Sequence, residues 1–148
     1  MKVLFLDVDG VLNRCGMDEK THRGLNPMLL RFLGDVIEAT GCKICISSTW
    51  RRLPSCRPRL FSAPDSLCED VVVGCTPESV GRTEDGIWLA TTRGTEIQAW
   101  LDEHPEVKRF AIVDDDDDMG HLSPHLVLTD SYVGLTQKHV AELIRRLS

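Results

Sequence analysis

Short apolar runs alternate along the chain with polar loops and with segments that carry apolar residues at helical spacing. Residues 3–6 form an unbroken apolar run, which is typical of a strand buried on both faces of a parallel sheet. Later runs of the same kind complete a set of predicted strands at 3–6, 43–46, 71–74, 110–113 and 126–128. Parallel sheets bind their ligands beyond the carboxyl ends of the strands, so the residues that follow these runs are of most interest.

The first helix signal lies between the first two predicted strands. Asn26 is a suitable N-cap, Pro27 suits the first helical position, and Gly41 suits the position just after a helix. Strand–helix–strand connections are right-handed and join parallel strands. The first two strands are therefore expected to be parallel.

Two more helices are predicted in the second half of the chain. One begins at Arg93 or Gly94 and ends at Pro105, and the other follows a cap at Thr136. Both carry apolar residues on one face, at Ile97, Trp100, Leu101, Val140, Leu143, Ile144 and Leu147.

The intervening segments are less regular. Residues 50–70 contain several prolines and arginines and predict at most one short helix, and residues 75–92 predict a loop in which a hairpin would fit. The predicted fold is α/β, with about five mostly parallel strands, helices on both faces, and a single domain over residues 1–148.

Composition is that of an ordinary globular protein. The chain has 148 residues, is 42% hydrophobic and 27% charged, and has a net charge of −6. A negative charge excludes general attraction to nucleic acid or to anionic membranes, so a polyanionic substrate would need a local basic patch. Neither a signal-peptide core nor a membrane span is evident, and the expected location is the cytoplasm.

Six cysteines include one C-x-x-C pair, Cys42 and Cys45. Around a short strand, positions three apart point to opposite faces, and neither a second pair nor a nearby histidine completes a zinc set. Reduced and mostly packed thiols are the expected state.

Polar residues follow three of the predicted strands at their carboxyl ends. The first strand is followed by Asp7 and Asp9, the second by Ser47, Ser48 and Thr49, and the fourth by Asp114 and Asp115. Clustered carboxylates repel one another when ionised, and a divalent cation relieves that repulsion. Oxygen ligands favour Mg²⁺. Taken alone, each motif is also compatible with a strand that is followed by an ordinary turn.

Four motifs in this order, DVDGV, ISSTW, TTRGTEI and AIVDD, resemble those of the haloacid dehalogenase (HAD)-like superfamily of phosphotransferases. The resemblance covers nearly the whole chain, and DVDGVLN with STWR is similar to small members associated with RNA-repair polypeptides. It implies a Rossmann-like HAD fold. Segments 14–24 and 74–93 are too short for a large cap domain, so a nearly capless member is expected.

The resemblance also implies catalytic roles. Asp7 would attack phosphorus and form an aspartyl phosphate, while Asp9 would protonate the leaving oxygen and later activate water. Ser48, with Ser47 as the alternative, would hydrogen-bond a phosphoryl oxygen. Arg93, where the family often has lysine, would offset charge on the same group.

Mg²⁺ is the implied cofactor. Its ligands would be Asp7, the backbone carbonyl of Asp9, and the acidic pair Asp114 and Asp115. A single octahedral ion cannot use the whole aspartate run, so residues 116–118 are expected to be solvated.

A basic cluster follows the second strand at Arg51, Arg52, Arg57 and Arg59. With Ser47 and Thr49, Arg51 and Arg52 are expected to bind the substrate, gripping further phosphates of a nucleotide or polynucleotide end. The alternative interpretation is an ordinary solvent-exposed charged surface, which is what most such clusters are. Trp50 or Trp88 would either stack a base or pack in the core.

The expected function is therefore that of a Mg²⁺-dependent phosphomonoester hydrolase. Two alternatives belong to another class: a receiver-like signalling domain and a catalytically silent phosphoryl-binding module. Receiver domains carry their phosphorylated aspartate after the third strand, where this chain has Val73 and Gly74. The intact pair of Asp7 and Asp9 disfavours the silent module.

Overall fold

A computed structural model describes residues 1–18, 24–61, 67–78, 80–82, 84–86 and 88–148, with the backbone alone for 57, 80–82 and 88–90. The strands are β1 (Lys2–Leu6), β2 (Lys43–Ile46), β3 (Val72–Cys75), β4 (Val80–Arg82), β5 (Trp88–Ala90), β6 (Arg109–Asp114) and β7 (Leu126–Leu128). The α-helices are α1 (Pro27–Thr40), α2 (Arg93–Asp102) and α3 (Gln137–Leu147).

The main sheet has five parallel strands in the order β3-β2-β1-β6-β7. Leu6 is in register with Ile46 on one side and with Val113 on the other. The next residue, Asp7, therefore lies between the ends of β2 and β6, and its backbone N–H donates to the carbonyl of Val113 at 3.0 Å. The predicted parallel sheet is confirmed, although β3 runs over 72–75 rather than 71–74.

Alternate residues of β1 enter two separate cores, because successive side chains of a strand point to opposite faces. Leu4 and Leu6 pack with residues of α1 and α3, while Val3 and Phe5 pack with residues of α2. Phe5 makes an edge-to-face contact with Trp100 at 5.4 Å between ring centroids. Helices thus cover both faces of the sheet, as predicted, and the residues that the structure describes form no large cap domain.

The predicted helix caps are also confirmed. The Asn26 side chain accepts hydrogen bonds from the first turn of α1, and Gly41 ends that helix in the left-handed conformation. Thr136 caps α3 by accepting a hydrogen bond from the backbone N–H of His139, as predicted. At the start of α2, Thr92 accepts a hydrogen bond from the backbone N–H of Thr95, a cap that the sequence predictions do not include.

The segment after β2 differs from the prediction of at most one short helix. It contains 3₁₀ turns at Thr49–Arg52, Arg57–Leu60 and Glu69–Val71. Proline suits the first turn of such a helix. Single 3₁₀ turns are too short to produce a periodic hydrophobic pattern, so they could not be identified from the sequence. Between β3 and α2, strands β4 and β5 form an antiparallel hairpin, which is compatible with the sequence prediction for this segment.

The cysteine pair divides between the two cores. Cys42 packs with α1 and α3, and Cys45 packs on the α2 side, so the two thiols face away from each other. Burial raises the pKa of both thiols, which favours the neutral form. Among the described helices, none is long and apolar enough to cross a membrane.

Candidate active site

Three carboxylates meet at the carboxyl edge of the main sheet. One oxygen each from Asp7, Asp114 and Asp115 lies within 4.8 Å of the other two. Asp7 follows β1, whereas Asp114 ends β6, and the parallel register brings these two ends together. Asp7 and Asp114 are only 5% and 1% exposed, so their charges are poorly screened by water.

Burial is the main influence on these acids. The pKa of Asp7 is raised to about 6 and that of Asp114 to about 8, chiefly by burial and in part by the nearby carboxylates. The Arg93 guanidinium opposes the effect on both groups. Oδ2 of Asp114 is fully buried and accepts no hydrogen bond from the described residues. An oxygen-only, anionic set with an unsatisfied oxygen fits a hard divalent cation such as Mg²⁺.

Gly10 makes room for this cluster. It has a φ of +77°, and a Cβ at this position would be 2.2 Å from Oδ2 of Asp115. The same Asp115 oxygen accepts a hydrogen bond from Ser131 Oγ at 2.7 Å. Position 10 therefore needs glycine both for its backbone conformation and for the space that Asp115 occupies. No motif pointed to Ser131, which reaches the site from the loop after β7.

Arg93, at the start of α2, supplies the positive charge. Its Nη2 atom is 3.8 Å from Oδ1 of Asp7, and its Nε atom is 3.4 Å from Oδ2 of Asp114. The helix start is tied to the aspartate run, because Asp118 accepts from the backbone N–H of Arg93 at 3.0 Å and from that of Gly94 at 3.2 Å. Residues 116–118 are exposed, as predicted, and Asp118 has this structural contact in addition.

The two serines after β2 have different surroundings. Both are fully buried. Ser48 Oγ accepts from the backbone N–H of Trp50 at 3.2 Å, and its hydroxyl lies near enough to Asp7 to oppose the rise that burial causes in the pKa of that carboxyl. Ser47 Oγ makes no hydrogen bond to any described residue. Thr49 is exposed and begins the following turn.

Arg51 is buried behind the site, with 3% of its side chain exposed. Nη1 donates to the carbonyl oxygens of Ser47 at 2.9 Å and Ser48 at 2.8 Å, while Nη2 donates to Glu96 at 2.7 Å. These bonds hold the turn that carries Ser48. The burial argues against the predicted contact between Arg51 and substrate phosphates, since the guanidinium already serves protein acceptors.

Glu96 is a buried residue that motif reasoning missed. It is 5% exposed, and its carboxylate contacts Arg51, Arg52 at 3.6 Å and Arg93 at 3.9 Å. Only its position three residues after Arg93, one turn along the helix, hinted at a pairing. Glu96 links the arginine that braces Ser48 to the arginine that faces Asp7.

Asp9 lies outside the carboxylate cluster, and its own carboxylate is held by two donors. Asn13 Nδ2 donates to Oδ1 at 2.7 Å, and Trp50 Nε1 donates to Oδ2 at 3.0 Å. Trp50 is 5% exposed and belongs to the core beside α1, so of its two predicted roles the packed one is confirmed.

Arg52 is an accessible member of the basic cluster, with 45% of its side chain exposed. It pairs with Glu78 at 2.9 Å and borders a groove of about 660 Å³ that Leu53, Pro58 and Phe61 also line. The side chains of residues 57 and 88, also named in the basic-cluster and base-stacking hypotheses, lie outside the described part. Among the described residues, Glu69 also lines the groove and brings a negative charge to it.

Comparison with known protein families relates most of the chain to a described family. A family model described as the HAD domain in Swiss Army Knife RNA repair proteins matches residues 3–140. No curated protein and no solved structure matches the chain. The matched segment includes the three clustered aspartates, Arg93 and Ser131.

Proposed function

Because the chain belongs to the family of HAD domains in Swiss Army Knife RNA repair proteins, we propose that it is a Mg²⁺-dependent phosphatase that hydrolyses phosphomonoesters. Membership supports a HAD-type hydrolase. The observation that carries the finer proposal is the meeting of buried Asp7 with Asp114, Asp115 and Arg93 at one edge of the sheet.

The proposed metal ligands are the carboxylates of Asp7, Asp114 and Asp115, with the backbone carbonyl of Asp9. When bound, Mg²⁺ would offset the charge of the phosphoryl oxygens and of the crowded carboxylates. The Asp9 side chain would not be a ligand, since both of its oxygens are engaged by Asn13 and Trp50.

The first proposed step is transfer of the phosphoryl group to the protein. A carboxylate oxygen of Asp7 forms a bond to phosphorus as the bond to the leaving oxygen breaks, and Asp9 gives its proton to that oxygen. The Ser48 hydroxyl and the Arg93 guanidinium donate to the phosphoryl oxygens, where the transition state spreads its charge.

Hydrolysis of the aspartyl phosphate follows. Asp9, now a carboxylate, takes a proton from water while the water oxygen bonds to phosphorus, and the bond from phosphorus to Asp7 breaks. Inorganic phosphate leaves, Asp7 is restored as a carboxylate, and Asp9 again holds the proton.

The proposed substrates are phosphorylated nucleic-acid or nucleotide ends. The family's description and the absence of a large cap over the described site support this class. Arg52 is the side chain proposed to touch the substrate beyond its terminal phosphate, with exposed Thr49 beside it. Ser47 is retained as the alternative phosphate donor because its hydroxyl has no partner among the described residues.

A phosphatase screen tests the proposal. The panel would contain p-nitrophenyl phosphate, nucleotides, 5′- and 3′-phosphorylated oligonucleotides, sugar phosphates and phosphopeptides, each with Mg²⁺ and with EDTA. Turnover that requires Mg²⁺ and disappears in Asp7→Asn is expected. A folded wild type that hydrolyses nothing on this panel would favour the silent module. If Arg52 contacts substrate, Arg52→Ala should raise KM for an oligonucleotide more than for p-nitrophenyl phosphate.

A further inference from the structure

We infer that Trp50 is a positioning residue that holds the Asp9 carboxyl group for proton transfer to the leaving group. The inference rests on the proposed function, because it concerns the step in which Asp9 protonates the leaving oxygen. It assigns to Trp50 a role that neither the motifs nor the family match provides.

The two oxygens of Asp9 are held by N–H donors from different parts of the chain. Trp50 Nε1 is 3.0 Å from Oδ2, and Asn13 Nδ2 is 2.7 Å from Oδ1. Two such bonds fix the plane of the carboxyl group, which a single bond would leave free to rotate. Asp9 is an exposed residue, so without these donors its side chain would sample several rotamers.

The donors are themselves fixed. Trp50 is 5% exposed and packs in the core beside α1. Asn13 also donates to the carbonyl oxygen of Gly24 at 2.8 Å and accepts from the backbone N–H of Gly10 at 2.9 Å. A carboxyl group held by buried donors is preorganised, so the free-energy cost of orienting it does not recur in each turnover.

Indole is chemically suited to this task because its Nε1–H only donates and cannot take up a proton. It orients Asp9 without competing for the proton that Asp9 must deliver. Each bond occupies one lone pair of a carboxyl oxygen, so the transferable proton lies on a remaining lone pair, away from Asn13 and Trp50.

The same short turn carries both Ser48 and Trp50. Ser48 Oγ accepts from the backbone N–H of Trp50 at 3.2 Å, so the turn that places the Ser48 hydroxyl near Asp7 also places the indole against Asp9. Donation to a phosphoryl oxygen and orientation of the acid are therefore built on adjacent residues of one turn.

The test is the variant Trp50→Phe, which keeps an aromatic ring in the core and removes the N–H. It would be compared with wild type on p-nitrophenyl phosphate, whose leaving group needs little protonation, and on a nucleoside monophosphate, whose alkoxide leaving group needs a proton. The quantity is kcat/KM, which reports steps through formation of the aspartyl phosphate. We expect kcat/KM for the nucleoside monophosphate to fall roughly 10- to 100-fold more than for p-nitrophenyl phosphate.

Trp100→Phe is the matched control, because Trp100 is also 5% exposed but packs in the other core, with Phe5. It should change the two kcat/KM values by the same factor. Equal losses on both substrates in Trp50→Phe, or no loss on either, would overturn the role of Trp50 alone. A wild type without turnover, or an Asp7→Asn variant that retains it, would instead contradict the proposed function.

A second measurement needs no change at Trp50 and covers the case in which Trp50→Phe does not fold. In the ¹⁵N NMR spectrum, the indole N–H resonance of Trp50 should be protected from solvent exchange in the wild type and lose protection in Asp9→Ala. A resonance that exchanges equally in both proteins would overturn the inference.

Discussion

Gly94 lies directly against the backbone of Met119, so that a Cβ at position 94 would be 2.1 Å from the Met119 carbonyl oxygen. The contact joins the first turn of α2 to the end of the aspartate run. Asp118 strengthens it by accepting from the backbone N–H groups of Arg93 and Gly94. This close approach is what brings the Arg93 guanidinium to 3.4 Å from Asp114.

We predict that Gly94→Ala lowers both stability and turnover. The added methyl must displace α2 or the Met119 backbone, which moves Arg93 away from the carboxylates. We expect the free energy of unfolding, measured by urea denaturation, to fall by about 1–3 kcal/mol.

Gly34→Ala is the matched control, because Gly34 lies in α1 and no described atom is within 4 Å of a Cβ there. That variant should be as stable as wild type or about 0.5–1 kcal/mol more stable, since alanine favours a helix. Equal effects at positions 34 and 94 would contradict the packing argument.

A second prediction concerns Gly10. Gly10→Ala places a methyl group on the Asp115 carboxylate and should abolish Mg²⁺ binding, measured as the rise in Tm on adding Mg²⁺. Gly16→Ala also replaces a glycine of positive φ, at +75°, but no described atom is within 4 Å of its Cβ. It should lose some stability through backbone strain and keep the Mg²⁺ response, whereas a lost response in both variants would refute the steric explanation.

The third prediction is a pH dependence of the metal-free protein. Burial raises the pKa of Asp114 to about 8, so the folded protein keeps a proton that the unfolded chain has already released. Stability must therefore fall as pH rises from about 4 towards 8, at roughly 1.4 kcal/mol per pH unit for each proton retained. Asp7, with a pKa raised to about 6 by burial, contributes only to the lower part of this window.

The upper part of the window gives the cleaner measurement. Burial lowers the pKa of His139, which makes stability rise with pH below about 6.5 and partly masks the fall there. Urea denaturation in EDTA between about pH 6.5 and 8 should thus show the fall, and Asp114→Asn should reduce it. Excess Mg²⁺ binds the ionised form and should flatten the curve. Stability in EDTA that increases over this interval would contradict the account.

The fourth prediction compares the loss of stability when a carboxylate charge is removed from a buried cluster and from an exposed one. Glu96→Gln removes the negative charge that faces the buried Arg51 guanidinium and should cost about 3–5 kcal/mol of unfolding free energy. Turnover should fall as well, since Arg93 loses a contact that orients it. Glu142 likewise contacts two arginines, Arg145 and Arg146, but on the surface of α3. Glu142→Gln should be far less destabilising, and equal losses would show that burial is not the deciding factor.

Much of the fold could be predicted because its signals are local. The apolar run before Asp7, the cap at Asn26 and the glycine at position 41 each define an element without reference to distant residues. Parallel pairing then places Asp7 beside Asp114, since the carboxyl ends of parallel strands share one edge. The predicted convergence of these two aspartates is confirmed, together with Asp115.

The remaining features depend on contacts between distant parts of the chain. Trp50 reaches Asp9 across 41 residues, and Arg51 meets Glu96 across 45. In sequence, Arg51 and Arg52 look alike, yet one is buried and the other is half exposed, because only Arg51 points at the carbonyls of Ser47 and Ser48. No periodicity or motif encodes which way such a side chain turns.

The most direct test of the proposed chemistry is to trap the phosphorylated protein. Wild type would be mixed with Mg²⁺ and a phosphate-labelled substrate, quenched in acid during turnover, digested and analysed by mass spectrometry. The account predicts a labelled acyl phosphate on Asp7, formed only with Mg²⁺ and absent from Asp7→Asn. Substrate turnover with label on another residue, or with no label on the protein at any time, would contradict it.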